Sequence, residues 1–351
     1  MGEKIRVLVV DDSPFMRAAI KRMLESDPEI EVIDTAKDGL EAVEKVKRLK
    51  PDLVTMDVEM PRMDGITAVK QIMKESPVPI VMVSSLTQEG AKTTIEALEA
   101  GAVDYIPKEL KKSSLDILNI KQQLLQKIKA IARTWRKKAE GRMPPPSRRS
   151  PSRRRRHPVE AIVIGVSTGG PKALQRIIPK LPADFPVPIL IAQHMPPYFT
   201  KSLAERLDEL SRIRVVEGSD GEEVAPGKAI IAPGGKHMKV LRISGDGCAV
   251  KLLDNIKGLI YVPSADVLME SAAEVYGDKV VGVILTGMGN DGLKGMTKIK
   301  EKGGITIAQD ENSSVIFGMP KACIEARVVD EVLNLDEIPH RLIEIAQGGG
   351  A

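Results

Sequence analysis

The sequence predicts an α/β protein with two doubly wound parallel-sheet domains joined by a basic, proline- and arginine-rich linker. Short apolar runs rich in β-branched residues alternate with amphipathic helical segments along most of the chain. At 351 residues the chain has room for two domains of ordinary size. We expect the first domain to span residues 1–131, a flexible linker to span residues 132–158, and the second domain to span residues 159–347.

Composition excludes several classes of protein. The hydrophobic fraction of 42% is that of an ordinary globular protein. No apolar run reaches the ~18 residues that a membrane span needs, and the first residues do not form a signal-peptide pattern. Cys248 and Cys323 lie far apart and outside any metal-ligand spacing, which indicates reduced thiols. We therefore expect a cytoplasmic protein that does not insert into a membrane.

The net charge of +4 comes from one segment of the chain. Residues 133–158 contain eleven lysines or arginines and one acid, Glu140, so this segment carries +10 and the remainder carries −6. Aromatic residues make up only 3% of the sequence, which argues against a base-stacking surface. We expect no specific nucleic-acid binding. An extended connector is favoured for this segment, and an electrostatic tether to acidic surfaces is the alternative.

Five strands and five helices alternate in the first domain. The predicted strands are 5 to 7 residues long, and each is followed by a segment with helical apolar spacing. We expect strands over residues 5–10, 30–36, 52–56, 79–84 and 102–107, and helices over residues 15–24, 39–49, 65–74, 90–100 and 115–131. Such alternation forms a parallel sheet, and ligands bind at the carboxyl ends of its strands.

Polar residues stand at those strand ends, namely Asp11, Asp12, Asp57, Ser84 and Lys108. Three carboxylates at one sheet edge repel one another unless a cation joins them, and oxygen ligands suit Mg²⁺. A carboxylate held near this metal and a lysine can accept a phosphoryl group, because both cations neutralise the transferred oxygens. Each acid alone could equally be a helix cap. The joint pattern favours phosphoryl transfer.

This constellation resembles the receiver domain of bacterial response regulators, which has a flavodoxin-like fold. The resemblance implies that Asp57 is the phospho-acceptor and that Mg²⁺ is bound by the carboxylates of Asp11, Asp12 and Asp57. It also implies that Ser84 and Lys108 contact the phosphoryl group and that Tyr105 occupies the aromatic switch position. The sequence departs from the receiver pattern at Glu109, where receivers usually carry proline after the lysine.

The second domain returns to the alternation of strands and helices. We expect strands over residues 161–164, 188–192, 213–216, 229–231, 280–285 and 305–308, and helices over residues 171–178, 200–209, 264–276, 293–302 and 335–346. A hairpin is predicted from residues 238–243 and 249–253, with Gly245, Asp246 and Gly247 at its tip. The sheet is again expected to be mostly parallel.

A small-residue turn with one serine follows the first strand of this domain. Residues 165–170 read Gly-Val-Ser-Thr-Gly-Gly, and Pro171 suits the first turn of a helix. A buried strand leading through a tight turn into a helix is where α/β proteins place nucleophiles and anion sites. The spacing alone is a weak signal. A degenerate dinucleotide-binding turn is the alternative, although the Gly-x-Gly-x-x-Gly register is missing.

A histidine and an aspartate follow two further strands. His194 comes after the second predicted strand, and Asp291 lies in a glycine-rich segment after the strand that begins at Val280. Aspartate can orient the imidazole, the imidazole can take the proton of Ser167, and the alkoxide can attack an acyl carbon. The backbone N–H groups of Thr168 and Met288 can bind the oxyanion. The glycine-rich segment could instead be a phosphate-binding loop.

The choice of the base falls between two histidines. His157 lies in the linker and His340 in the last helix, whereas His194 and His237 lie near the predicted site. His237 precedes a hairpin rather than ending a parallel strand, so we favour His194 and place His237 in the wall of the site. The order Ser, His, Asp along the chain also differs from the order in the α/β-hydrolase fold and argues against that fold.

Five segments together resemble the chemotaxis protein-glutamate methylesterase (CheB) family, whose catalytic domain is Rossmann-like. These segments are residues 165–170, 193–197, 232–238, 285–292 and 317–320. The resemblance implies that Ser167 is the nucleophile, His194 the base and Asp291 its orienting acid, with Thr168 and Met288 as oxyanion donors. It implies hydrolysis of γ-glutamyl methyl esters and deamidation of certain glutamines on chemoreceptors, without a cofactor for that reaction.

The combined resemblance implies an esterase that the receiver domain inhibits until Asp57 is phosphorylated. It implies that methylated chemoreceptors are the substrates and that a chemotaxis histidine kinase is the phosphodonor. We also expect the protein to be a monomer. The sequence is also compatible with two other functional classes of protein. One is an adaptor whose arginine run touches DNA, and the other is a nucleotide-binding sensor that uses the two glycine-rich turns.

Overall fold

The computed structural model describes residues 3–108, 114–141, 157–243, 247–254 and 256–348, without the side chains of residues 114–119. It divides into two compact units, Met1–Arg142 and Met143–Ala351. Three parts of the sequence predictions lie outside the described residues: Glu109, most of the linker, and Gly245 and Asp246 of the hairpin tip. None of the helices in the described ranges combines the length and the apolar character needed to cross a bilayer.

The first unit contains a five-stranded parallel sheet, which confirms the predicted fold class. Its elements are β1 (Ile5–Val10), α1 (Pro14–Glu25), β2 (Ile30–Ala36), α2 (Gly39–Leu49), β3 (Leu53–Asp57), α3 (Gly65–Glu75), β4 (Ile80–Ser84), α4 (Gln88–Ala100), β5 (Asp104–Pro107) and α5 (Ser114–Ala139). The strand order is β2-β1-β3-β4-β5. The order reverses between β1 and β3, so the carboxyl ends of these two strands flank the crevice where such sheets bind ligands.

Helix α5 is longer than the sequence predicts. It continues to Ala139, so residues 132–139 are helical, whereas the sequence predicts them as part of the flexible linker. Apolar residues at helical spacing, including Ile128 and Ile131, are buried. Beyond them, the Arg136 guanidinium binds the Asp52 carboxylate with two hydrogen bonds of 2.9 and 2.6 Å. These contacts hold the basic end of the helix on the sheet and offset the repulsion among its like charges.

The second unit contains a seven-stranded parallel sheet and a separate antiparallel hairpin. Its strands are β6 (Ala161–Val166), β7 (Ile189–Gln193), β8 (Arg214–Glu217), β9 (Lys228–Ile231), β10 (His237–Arg242), β11 (Cys248–Leu253), β12 (Val280–Ile284), β13 (Ile305–Gln309) and β14 (Glu331–Leu333). Its helices are α6 (Gly170–Ile177), α7 (Phe199–Leu210), α8 (Ala265–Tyr276), α9 (Leu293–Glu301), α10 (Met319–Glu325) and α11 (Ile338–Ala346).

The order of the large sheet is β14-β13-β12-β6-β7-β9-β8. Strands β7, β9 and β8 lie on one side of β6, and strands β12, β13 and β14 lie on its other side. The order therefore reverses between β6 and β12. A crevice therefore opens at the carboxyl ends of these two central strands. Both strands are fully buried along their length, which matches their unbroken apolar sequences.

Two short elements, α10 and β14, were not predicted. Helix α10 has seven residues and begins at Met319-Pro320, and β14 is a three-residue edge strand. Elements of this length carry too few residues for a periodic pattern to emerge. The segment before α10 matters for the site, because Phe317 forms a parallel bridge with Gly287.

Candidate active site

Ser167 lies in the turn between β6 and α6, at the central crevice of the second unit. Its N–H donates to the carbonyl of Thr286 (3.0 Å), and its carbonyl accepts from Gly170 N–H (2.8 Å). Gly169 has a φ of +79°, a conformation that favours glycine. A Cβ at Gly170 would come within 1.9 Å of the Gln193 amide oxygen. The glycines of the motif thus serve a tight turn that holds the serine at the strand end.

Asp291 lies in the loop after β12, and the N-terminus of α8 surrounds its carboxylate. The Ser264 hydroxyl donates to Oδ1 (2.8 Å), the Ala265 N–H to Oδ2 (2.6 Å) and the Asp266 N–H to Oδ1 (3.1 Å). Burial acts to raise the pKa of Asp291, but the hydrogen bond and charge of His194 and the N–H donors outweigh it and lower the pKa to about 2. This carboxylate is therefore ionised at any ordinary pH.

His194 follows β7 and contacts Asp291 directly. Its Nε2 lies 2.7 Å from Oδ2 of Asp291, and both side chains are more than nine-tenths buried. Its Nδ1 is buried without a hydrogen-bond partner among the residues that the structure describes. Since Asp291 engages Nε2, Nδ1 is the nitrogen available to accept a proton.

Two contacts connect His194 with the serine turn. The backbone N–H of His194 donates to the carbonyl of Val166 (3.0 Å), directly before Ser167. The side-chain amide of Gln193 donates to the carbonyls of Ser167 (3.0 Å) and His194 (3.3 Å). The structure thus brings the predicted serine, histidine and aspartate to one edge of the sheet.

Thr286 couples the two glycine-rich turns. Its hydroxyl lies 2.9 Å from the Thr168 carbonyl, and a Cβ at the neighbouring Gly287 would lie only 2.8 Å from Cβ of Ser167. The two turns therefore pack directly on each other around the serine. The N–H groups of Thr168 and Met288 donate to no other group in the described part of the chain. Free N–H groups on both sides of a serine can bind an oxyanion.

His237 lies in a supporting position. It is fully buried, and its Nδ1 accepts the N–H of Ser264 (3.2 Å). Ser264 in turn binds Asp291, so this serine links His237 to the pair of Asp291 and His194. The predicted place of His237 in the wall of the site stays a prediction.

Sequence reasoning missed two residues of this site, Ser264 and Tyr261. Ser264 is the N-cap of α8, and a serine before an apolar helical run is a recognisable capping signal. That signal places the start of the helix and does not reveal that the same hydroxyl binds Asp291. Tyr261 stacks on His194 from an irregular loop, where no sequence pattern predicts the contact.

The first unit has its own polar cluster at the carboxyl ends of β1, β3, β4 and β5. Lys108 Nζ lies 2.5 Å from Asp57 Oδ2 and 2.9 Å from Asp11 Oδ2. Asp11, Asp12 and Asp57 each offer an oxygen within 4.8 Å of the others. Ser84 is buried beside them, and its hydroxyl lies 3.2 Å from the Gly90 carbonyl. The predicted phosphoryl-transfer residues therefore lie together.

The electrostatics of this cluster suit a divalent cation. Burial raises the pKa of Asp57 to about 6, with a further contribution from the charge of Asp11, although Lys108 acts in the opposite direction. Lys108 thus does not fully offset the effect of burial on this carboxylate. Mg²⁺ takes carboxylate oxygens as ligands and keeps several waters, so the converging carboxylates of Asp11, Asp12 and Asp57 fit this ion.

A cavity of about 240 Å³ opens at the cluster. It is lined by Asp12, Asp57, Val58, Glu59, Ser84, Ser85, Thr93 and Lys108. Tyr105 is buried outside this lining, with its ring centroid 5.4 Å from Lys127 Nζ. The cavity gives a small anion access to the Asp57 carboxylate and the Lys108 ammonium group.

Comparisons with known proteins identify a family for each unit of the chain. Residues 162–342 match the CheB methylesterase family and residues 7–118 match the response regulator receiver domain. A protein-glutamate methylesterase/protein-glutamine glutaminase of Pyrococcus horikoshii is 49% identical, and the match covers 100% of this chain and 96% of that protein. A second protein of this name from Nitratidesulfovibrio vulgaris is 48% identical, with 95% and 97% coverage.

A solved structure supports the fold of the second unit. The crystal structure of the Thermotoga maritima CheB methylesterase catalytic domain aligns with a TM-score of 0.52 and 48% identity. The alignment covers 54% of this chain and 99% of that domain. The chain therefore belongs to the CheB methylesterase family and carries a response regulator receiver domain ahead of its methylesterase domain.

Proposed function

We propose that this protein is a serine esterase that removes methyl groups from glutamate γ-methyl esters on chemoreceptors. The observation that carries the proposal is the buried pair of His194 and Asp291, which occupies Nε2 and leaves Nδ1 without another partner among the described residues. The names of the relatives support the substrate class, since they are protein-glutamate methylesterases and protein-glutamine glutaminases. We propose deamidation of receptor glutamines as the second activity of the same site.

The residues have distinct roles in the proposed reaction. Nδ1 of His194 takes the proton of Ser167 as its oxygen attacks the ester carbonyl carbon, and Asp291 stabilises the imidazolium through Nε2. The N–H groups of Thr168 and Met288 bind the carbonyl oxygen as it becomes negative. His194 then protonates the leaving methoxide, and methanol departs. Water repeats the sequence on the acyl-enzyme and releases the glutamate carboxylate and free Ser167.

The receiver domain is proposed to inhibit the esterase until Asp57 is phosphorylated. Asp11, Asp12 and Asp57 would hold Mg²⁺, which neutralises negative charge during phosphoryl transfer when it is bound. Lys108 supplies positive charge from the other side, Ser84 contacts the phosphoryl group and Tyr105 responds to it. A chemotaxis histidine kinase is the proposed phosphodonor. We place the enzyme in the cytoplasm as a monomer, with a receiver domain that ends with α5 at Ala139 and a catalytic domain over residues 159–347.

Methanol release from a methylated chemoreceptor fragment tests this function. We expect release by the wild-type chain to increase when a phosphodonor and Mg²⁺ are added. We also expect removal of the receiver domain, through residue 141, to raise the basal rate. No methanol release under either condition would contradict the esterase, and an unchanged or lower rate after the deletion would contradict inhibition by the receiver.

Lys108→Ala is expected to abolish most of the stimulation by phosphodonor while leaving the basal esterase rate unchanged. The reason is that Lys108 holds a direct ion pair with Asp57, so its loss removes the cation next to the proposed phosphoryl group. Lys129→Ala is a matched control, because Lys129 pairs with Asp27 on the surface of the same domain. Normal stimulation of the Lys108 variant would show that the site does not use this lysine.

Ser264→Ala is expected to lower kcat by about tenfold or more, since it removes a hydrogen bond to the charged carboxylate of Asp291. Ser271→Ala is the matched control, because Ser271 is a buried serine of the same helix that binds Leu268 and Val240 instead. Steady-state hydrolysis and thermal melting of both variants distinguish a loss of catalysis from a loss of helix stability. Equal losses of activity in both variants would assign Ser264 to helix stability alone.

A further inference from the structure

Tyr261 lies face to face with the imidazole of His194. The two ring centroids are 4.3 Å apart, and the ring planes differ by 5°. Tyr261 belongs to the loop between β11 and α8, where its neighbour Ile260 is 88% exposed. The loop thus presents one side chain to solvent and directs the next onto the base. The half-buried ring covers one face of the imidazole.

The same tyrosine contacts the segment that carries Met288. A Cβ built on Gly289 would lie 3.0 Å from the Tyr261 hydroxyl oxygen, and Gly289 itself has a φ of +83°. Tyr261 therefore packs between the base and the backbone of the proposed oxyanion segment. A side chain at position 289 would displace the ring.

The face of an aromatic ring is negative and attracts a cation within about 6 Å of its centroid. The His194 ring lies within this range and becomes a cation when it takes the serine proton. Burial and the charge of Asp291 raise the pKa of Tyr261, so its ring stays an uncharged phenol. The stack is consequently stronger after proton transfer than before it, which is the requirement for an effect on kcat.

We infer that Tyr261 is a positioning residue for the general base, which holds the imidazole plane and stabilises the imidazolium through its ring face. This role rests on the esterase function proposed above. The titratable groups facing the imidazole come from two loops, with Asp291 after β12 and Tyr261 before α8. Asp266, in the first turn of α8, lies behind them and donates its N–H to Asp291.

The test is the pH dependence of ester hydrolysis by the full chain, with a methylated chemoreceptor fragment as substrate. In Tyr261→Leu, kcat is expected to fall by about tenfold, with KM changed by less than about twofold. The acid limb of the pH–rate profile is expected to move to lower pH, because an imidazole without the ring face is harder to protonate. Tyr261→Phe keeps the ring and should match the wild type, as should Ile260→Ala.

Three results would overturn the inference. These are an unchanged kcat in Tyr261→Leu, an equal loss in Tyr261→Phe, and a lower kcat in Tyr261→Leu without movement of the acid limb. If Tyr261→Leu fails to fold, Tyr261→Met fills similar space without an aromatic face and replaces it. Ser167→Ala in the same assay distinguishes failure of the proposed esterase function from failure of the proposed role of Tyr261. Activity that survives in Ser167→Ala contradicts the esterase itself, whereas an inactive Ser167→Ala beside a fully active Tyr261→Leu contradicts only the role of Tyr261.

Discussion

Ser167→Ala is expected to lower methanol release from a methylated receptor by a factor on the order of 10⁴ or more. The expected loss is this large because alanine has no oxygen to attack the ester. His194 and Asp291 then have no serine nucleophile to activate. Binding should persist, since the turn is held by backbone contacts that alanine retains, including Ser167 N–H to Thr286. The measurement is methanol release at saturating substrate, with receptor binding followed separately.

Ser219→Ala serves as the control for this experiment. Ser219 is an exposed serine of the same domain whose hydroxyl binds Glu222, so its loss should leave the rate unchanged. A residual rate within tenfold of wild type in Ser167→Ala would contradict nucleophilic catalysis by Ser167. Unaltered receptor binding in the inactive variant would show that the loss is chemical.

Asp291→Asn is expected to reduce kcat by roughly 10⁴-fold, as in other serine hydrolases that lose the orienting acid. The carboxylate accepts from His194 Nε2 and from the N-terminal N–H groups of α8, and an amide NH₂ cannot accept in their place. The imidazole then loses both its orientation and the stabilising charge. The measurement is kcat for receptor demethylation between pH 6 and 9 in roughly one-unit steps, which span the usual range of histidine titration.

Asp266→Asn is the matched control for Asp291→Asn. Asp266 lies in the first turn of α8 and accepts the N–H of Gly295 (2.9 Å). Burial and the charge of Asp291 raise the pKa of Asp266 to about 6, so a neutral side chain is tolerated there. We expect its kcat to stay within about tenfold of the wild type. Similar losses in the two variants would show that any change near this helix end impairs the enzyme.

The pKa of Asp291 also sets a stability prediction for the same variant. The folded-state pKa of about 2 lies below the ordinary value of 3.8. The ionised carboxylate therefore stabilises the fold at pH values above 3.8. This contribution is lost as the pH falls through 2. Asp291→Asn should therefore unfold more easily than the wild type at pH 7. The difference should shrink toward pH 2 in denaturant titrations.

Most of the fold and both polar clusters could be predicted from the sequence. Buried strands with unbroken apolar runs end in polar residues, and parallel strands bring such ends to one edge, which placed Asp57 and Ser167 at their crevices. The same rule placed His194 and Asp291 at one edge of the second sheet, although it does not predict their direct contact. The strand order, which puts β6 beside β12, is a tertiary property that the pattern of one chain does not contain.

The remaining features depend on contacts between distant segments. Tyr261 reaches His194 from a loop without regular structure, and Ser264 reaches Asp291 because α8 points its N-terminus at the crevice. Helix α5 extends past Ile131 because Arg136 finds Asp52 across the unit. In each case the contact partner is defined only by the folded arrangement of segments that are distant in the sequence.

Labelling by a serine-directed phosphonate tests the central claim most directly. The full chain is treated with the reagent and digested, and the modified peptide is identified by mass spectrometry. A single adduct on Ser167 is predicted for the wild type, slower labelling for Asp291→Asn and no adduct at this position for Ser167→Ala. Labelling of the wild type at another serine with Ser167 unmodified, or unchanged labelling of the Ser167→Ala chain, would contradict Ser167 as the activated nucleophile.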